Sequence, residues 1–408
     1  GSAAFATGDP GDVPVIGRVR ELAEIDGLLA ESRSEEVASL IAVTGDAGTG
    51  KSQILRTVAH RHASSTGPEA PWNVLSARAA SDSAGEPFAM LRALVASAGP
   101  AGPDPAGADP ACDQLLALLQ PSRESLDTAD ALVAADRVLL AWLELLEAWA
   151  TPERGPLMFV LDDVHRADVT SLRFVDRALG HLAQRAFVVL AAGRTLDDLR
   201  ALATGLEPER RLDVHLGPLR PRAAESLAEA LCRDAPSALV AEVARLSGGN
   251  PAHLVELARQ VRDGMTPGDG SMADLLWARL ARLDPDDRQV LRAASIIGRT
   301  VWPSAIAALL GVEPQDARLA ARLATLVAQG YLVVTARGAD DPEPRLEFAS
   351  ELLQLAAYDL CTEADLERGH EVVARWLVAS AHAGGAVVAR HLVHAGDRRG
   401  ALPHFIAA

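Results

Sequence analysis

Residues 45–52 read GDAGTGKS, and they hold the single lysine of a 408-residue chain that carries 38 arginines. Gly45, Gly50, Lys51 and Ser52 fit the spacing G-x-x-x-x-G-K-[ST] of a phosphate-binding loop. Asp46, Ala47, Gly48 and Thr49 fill the loop, and Gln53 follows it. Backbone N–H groups of such a loop point inward at phosphate oxygens, and the following helix adds the positive end of its dipole. A lysine ammonium is a compact point charge on a flexible stem, able to reach β- and γ-phosphates, whereas the broad arginine fork suits other geometries. Arginine serves this chain wherever charge alone matters, so Lys51 marks a position where reach matters. The flanks agree. ASLIAVTGD before the loop is a short apolar run and predicts a buried parallel strand. KSQILRTVAHRHA after it places Ile54, Leu55, Val58 and Ala59 at helical spacing. Residues 45–53 are therefore candidate nucleotide-binding residues.

A second strand completes a candidate site. LMFVLDD, residues 157–163, is an apolar run ending in two carboxylates, the form of a Walker B strand. Asp162 is placed to hold Mg²⁺ with Ser52. Asp163 is placed to orient or deprotonate an attacking water. A strand followed by an Asp-rich turn is a common alternative, and the phosphate loop upstream is what favours the functional reading. AFVVLAAGRT, residues 186–195, predicts a third strand ending at Arg194. Ligands bind at the carboxyl ends of parallel strands, so Arg194 is a candidate γ-phosphate sensor; a surface arginine closing a strand is the alternative. His165 is either structural or catalytic. WNVLSARA (72–79) and LDVHLGPL (212–219) read as further strands. Alternating strands and helices predict an α/β P-loop NTPase with a parallel sheet covered on both faces.

Composition bounds the rest. Hydrophobic residues make up 49% and aromatic residues only 4%, which favours large, helix-rich cores. The formal net charge of −16 excludes nucleic-acid binding through the bulk surface. Cys112, Cys232 and Cys361 lie far apart and predict reduced thiols in a cytoplasmic protein. No apolar run reaches membrane-spanning length and no signal peptide opens the chain. The initial Gly1–Ser2 has the form of a cloning scar.

Four stretches together resemble a known family: VIGRVRELAEI (15–25), VTGDAGTGKSQIL (43–55), LMFVLDDVHRADVTSLRFV (157–175) and LSGGNPAHLVEL (246–257). They are similar to the ATPase module of STAND-type signal-transduction NTPases. The likeness extends to large ATP-binding regulators of the LuxR family and to SARP-type antibiotic regulators. The resemblance is strong over the sheet and weaker past residue 270. It implies an ATP/ADP switch that controls a DNA-binding domain elsewhere in a longer chain; in the switch reading ATP, bound with Mg²⁺, shifts the chain to an open, self-associating form. It also implies that Val15, Ile16 and Arg18 line the adenine pocket and that Pro251 lies near the base or β-phosphate. The residues themselves read GGNP as a helix cap followed by a proline-started helix; both readings hold together. Two positions depart from the family pattern. Arg166 follows His165 where relatives often carry tryptophan. In FASELLQLAAY (348–358), Ser350 stands where relatives often carry a histidine, which puts a nucleotide-sensing role there in doubt.

The expected organisation is a scar and linker (1–12), a P-loop ATPase domain (13–217), a helical lid (218–268), a winged-helix domain (269–349) and a helical arm or start of tetratricopeptide-like repeats (350–408). SAGPAGPDPAGADPA, residues 97–111, reads as an insertion loop. Residues 271–349 predict three helices and two strands. Nine arginines there stand against ten acidic residues, and the third helix carries only Arg318 and Arg322. A DNA-reading helix needs a basic face, so this element is expected to clamp the nucleotide domain, as the resemblance implies. Three functions stay open: a slow, nucleotide-gated regulatory switch, a fast ATPase that remodels a partner, and a partner-binding scaffold with structural nucleotide.

Overall fold

A computed structural model of the chain describes residues 14–64, 70–79, 87–98, 114–115, 118–119, 128–151, 155–268, 270–335, 343–380 and 384–406. Most of the expected insertion loop at 97–111, and Cys112, lie outside these residues. Contacts divide the chain into two units. The first holds residues 14–79 and 87–265; the second begins at residue 266.

In the first unit, α1 (Val19–Glu35), β1 (Ala38–Gly45), α2 (Lys51–Ala63), β2 (Asn73–Arg78), α3 (Ala89–Ser97), α4 (Thr128–Trp149), β3 (Leu157–Asp162), α5 (Val169–His181), β4 (Phe187–Ala192), α6 (Leu196–Arg200) and β5 (Arg211–Leu216) follow in order. The five strands form one sheet in the order β2-β3-β4-β1-β5, and every pairing is parallel. This is the P-loop NTPase-like arrangement expected from the sequence. The residues of the three inner strands β1, β3 and β4 are buried on both faces, because helices cover both, while the edge strands β2 and β5 are partly exposed. Leu157, Phe159 and Leu161 pack with Trp142, Leu145 and Val175 on one side. Met158 and Val160 pack with Ile25, Leu29, Ile54 and Leu55 on the other. The period of two in β3 thus serves two cores.

The topology sets the site. Strand β4 lies between β1 and β3, so the ends of β1, β4 and β3 stand side by side. Three further helices follow in the same unit, over the residues expected to form a lid: α7 (Pro221–Leu231), α8 (Ser237–Leu246) and α9 (Pro251–Arg262). Asn250 caps α9 by accepting from the N–H groups of Ala252 and His253, and Pro251 takes the first helical position, where its missing N–H costs nothing.

The second unit holds α10 (Met272–Ala281), α11 (Pro285–Ile297), β6 (Thr300–Val301), α12 (Pro303–Leu310), α13 (Ala317–Ala328), β7 (Leu332–Thr335) and β8 (Arg345–Phe348). The three strands form an antiparallel sheet, β6-β8-β7. The sequence predicts three helices here and the structure has four, with the extra strand β6. A two-residue strand running into the proline-started, eight-residue α12 is too short to leave a periodic pattern. Helices α14 (Glu351–Tyr358), α15 (Glu363–Ser380), α16 (Gly385–His394) and α17 (Arg398–Ile406) complete the unit. Ser350 caps α14, accepting from the Leu353 N–H. Cys232 and Cys361 are free thiols. Among the described residues no helix is long and apolar enough to cross a membrane.

Candidate nucleotide site

The loop Gly45–Gly50 joins the end of β1 to the start of α2. Lys51 begins the helix, and its ammonium donates to the carbonyls of Gly45 at 2.7 Å and Asp46 at 2.9 Å. Burial pushes its pKa down; the Asp163 and then the Asp162 carboxylates oppose that shift, and the Arg194 guanidinium adds to it. Four residues assigned from sequence thus share one electrostatic neighbourhood. The first four N–H groups of a helix have no partner within the helix, so the start of α2 offers donors at residues 51–53. Ser52 is half-buried there. Gln53 also begins α2, and its side-chain oxygen accepts from Arg56.

Asp162 ends β3 and is 1% exposed. Its Oδ1 accepts from the Asp163 N–H at 3.0 Å, while its buried Oδ2 has no hydrogen bond. A buried carboxylate oxygen left in that state suits a hard cation. Mg²⁺ keeps waters and phosphate oxygens among its ligands and needs few protein groups. Asp162 and Ser52 are the residues that fit it.

Asp163 follows with φ of 56°, in the left-handed region that aspartate tolerates. Its Oδ2 accepts from Arg78 Nε at 3.0 Å, and the same Nε lies 3.6 Å from Asp162 Oδ2. Arg78 ends β2, beside β3. It is a site residue that the sequence reading missed. The strand at 72–79 was predicted, and a charged residue at its carboxyl end was the available signal.

Arg194 is exposed just beyond β4, where Thr195 caps α6 in a reciprocal capping box with Asp198. Both ring nitrogens of His165 are buried without a hydrogen bond. Burial lowers its pKa; Asp163 opposes the shift and Arg194 adds to it.

The loop is also held from outside. Arg18 is buried, and its guanidinium donates to the carbonyls of Thr49 at 3.1 Å and Gly217 at 2.6 Å, and to Glu21 at 3.1 Å. Val15 and Ile16 are half-buried in the segment leading to it. From the start of α9, Asn250 Nδ2 donates to the Ala47 carbonyl at 3.0 Å and the Ala252 N–H to the Gly48 carbonyl at 3.2 Å. Pro251 stands between these two contacts. Gly48 has φ of +81°, and a Cβ there would lie 2.6 Å from Asn250 Oδ1 and 2.8 Å from Ala252 Cβ, so only glycine permits the approach.

Residues 14–191 match the AAA ATPase domain family. The fold of nearly the whole chain is shared with a STAND signal-transduction ATPase that carries a tetratricopeptide repeat sensor, from Pyrococcus horikoshii. The two are 15% identical with a TM-score of 0.52, over 94% of this chain and 48% of that one. This chain therefore spans about half the length of that protein. The ORC2 protein of Aeropyrum pernix in its ADP form aligns at 12% identity and TM-score 0.43, over 90% of this chain and 97% of that one. The Aeropyrum pernix ORC1 protein in complex with DNA aligns at 16% identity and TM-score 0.42, over 90% and 97%. No curated protein sequence matches the chain.

Proposed function

We propose that this chain is an ATP/ADP-binding, slowly hydrolysing switch module of a larger multidomain transcriptional activator, whose nucleotide state controls self-association. The AAA-type domain supports nucleotide binding, and the motifs quoted above support the regulator class through their resemblance. Lys51 and the N–H groups of residues 48–52 hold the phosphates. Asp162 and Ser52 would hold Mg²⁺, which would supply neutralising charge to the phosphates when bound. Asp163 orients or deprotonates the attacking water, and Arg194 reports the γ-phosphate.

One observation favours a slow switch over a fast remodelling enzyme. The Asp163 carboxylate already spends one oxygen on Arg78 at 3.0 Å, and a carboxylate engaged by a guanidinium is a poorer proton acceptor for water. Residues 285–348 have the element order of a winged helix, which we read as a clamp and not a DNA reader. Its third helix, α13, carries Arg322, which is ion-paired with Asp284, Asp286 and Asp287; a cation held by three carboxylates is poorly placed to take a phosphate. DNA contact then falls to a domain outside this chain, and α16 and α17 read as the start of tetratricopeptide-like repeats.

The test is ATP turnover together with solution mass in ADP and in ATP. The switch reading expects turnover on the order of 10⁻³ per second, as for unassisted nucleotide switches, with a larger assembly in ATP. Turnover of about 1–100 per second with the same mass in both nucleotides would overturn it.

A further inference from the structure

We propose that the phosphate cradle is preorganised from its outer side by three donors, the Arg18 guanidinium, the Asn250 amide and the Ala252 N–H, two of which belong to the lid. The proposal rests on the nucleotide-binding reading and deepens it.

The physical basis is peptide planarity. In a trans peptide the C=O of one residue and the N–H of the next are rigidly opposed. A donor that fixes the Ala47 carbonyl on the outside therefore fixes the Gly48 N–H on the inside. The same holds for the Gly48 carbonyl and the Thr49 N–H, and for the Thr49 carbonyl and the Gly50 N–H. These three successive carbonyls are the ones engaged, at 3.0, 3.2 and 3.1 Å, by Asn250, Ala252 and Arg18. The Thr49 N–H makes only a long 3.4 Å contact to Asp46. The three peptide planes are thus fixed before phosphate arrives, with the Thr49 N–H held only by its long contact to Asp46, which removes an ordering cost from binding.

The lid carries its share through one motif. Asn250 uses Oδ1 to cap α9, at 3.0 and 3.2 Å, and Nδ2 to hold the loop. Leu219, beside the start of the lid, donates to the Gly249 carbonyl at 2.7 Å. Arg18 joins the same loop to Gly217, where β5 leads into the lid. Movement of the lid would release two of the three carbonyls, so phosphate affinity and lid position are coupled. By linkage each biases the other equally. Asn250, Ala252 and Arg18 are positioning groups in this account.

The experiment uses Asn250→Ser in the intact chain, because serine caps a helix about as well as asparagine but cannot donate to Ala47. Binding and release of a fluorescent ADP analogue are measured with the melting midpoint of the nucleotide-free protein. The expected result is about tenfold weaker binding and faster release, the scale of one lost hydrogen bond, with a midpoint lowered by no more than that one bond, because the latch is also made in the nucleotide-free protein. Asn250→Thr, which also caps a helix and is too short to reach Ala47, gives the same direction if the serine variant folds poorly. Wild-type affinity in both variants, or an affinity loss explained by partial unfolding of the nucleotide-free protein at the assay temperature, overturns the proposal. If the wild type binds no ADP analogue, the nucleotide-module reading itself fails, a result distinct from failure of the latch alone.

Discussion

Without its Lys51 ammonium the site loses the cation that stands at the phosphate loop itself, 2.7 Å from the Gly45 carbonyl. Charge-assisted hydrogen bonds contribute about 1.5–3 kcal/mol each. Lys51→Ala is therefore expected to weaken ATP binding by about tenfold to a hundredfold or more, measured by calorimetry; unchanged affinity would remove Lys51 from the site. Asp163→Asn keeps its size and loses its basicity. It is expected to bind ATP normally and to hydrolyse it about 10²–10⁴-fold more slowly, read in single turnover; an equal rate would show that Asp163 handles no proton. Arg78 predicts the opposite sign. Arg78→Gln removes the guanidinium 3.0 Å from the Asp163 carboxylate, and a several-fold faster single turnover is expected. A slower one would mean that Arg78 aids the chemistry and does not restrain it.

At the scale of elements, local pattern carried the reading where local chemistry decides structure. The phosphate loop, the apolar runs of β1, β3 and β4, and the proline-started α9 all announce themselves within about ten residues. The contacts that hold the site do not. Arg78 meets Asp163 across 85 residues and Asn250 meets Ala47 across 203, and no local pattern encodes which distant carbonyl an amide will find. Gly249 shows the same limit. The sequence reads it as a helix cap, but its φ of +78° and a virtual Cβ 2.5 Å from the Leu219 carbonyl show a close backbone approach inside the lid. Gly249→Ala is expected to lower the melting midpoint, with about 1–2 kcal/mol from left-handed strain alone and more from the clash. An unchanged midpoint would mean that the backbone around Gly249 and Leu219 relaxes without cost.

Across the molecule as a whole, one more long-range feature stands out, a buried polar chain in the second unit that no local sequence pattern announces. Tyr358 O–H meets His370 Nε2 at 2.8 Å, and His370 Nδ1 meets His391 Nδ1 at 2.8 Å. His391 also bonds the Ile297 carbonyl, so the consistent assignment has His391 neutral and accepting from His370, which in turn accepts from Tyr358. Helices α11, α14, α15 and α16 are tied by this chain. His394 stacks on His370 at 4.8 Å, and Arg390 adds positive charge nearby. Burial, then His394, lowers the His370 pKa to about 4; burial, then His370, lowers that of His391 to about 3. Both histidines are neutral when folded and titrate near 6.5 when unfolded. Their contribution is complete above pH 6.5 and declines as pH falls toward 4, by up to about 1.4 kcal/mol per pH unit for each. Unfolding followed from pH 7.5 to 5 should show the midpoint falling, with a shallower slope in His370→Gln. A flat wild-type profile would contradict the assignment.

The central claim is that the loop around Lys51 binds an adenine nucleotide. The direct measurement is to incubate the chain with Mg²⁺ and ATP, remove free nucleotide, denature the protein and quantify what is released by ion-exchange chromatography. The account predicts close to one adenine nucleotide per chain, recovered increasingly as ADP with time. A chain that retains none, under conditions where it is folded, would contradict it.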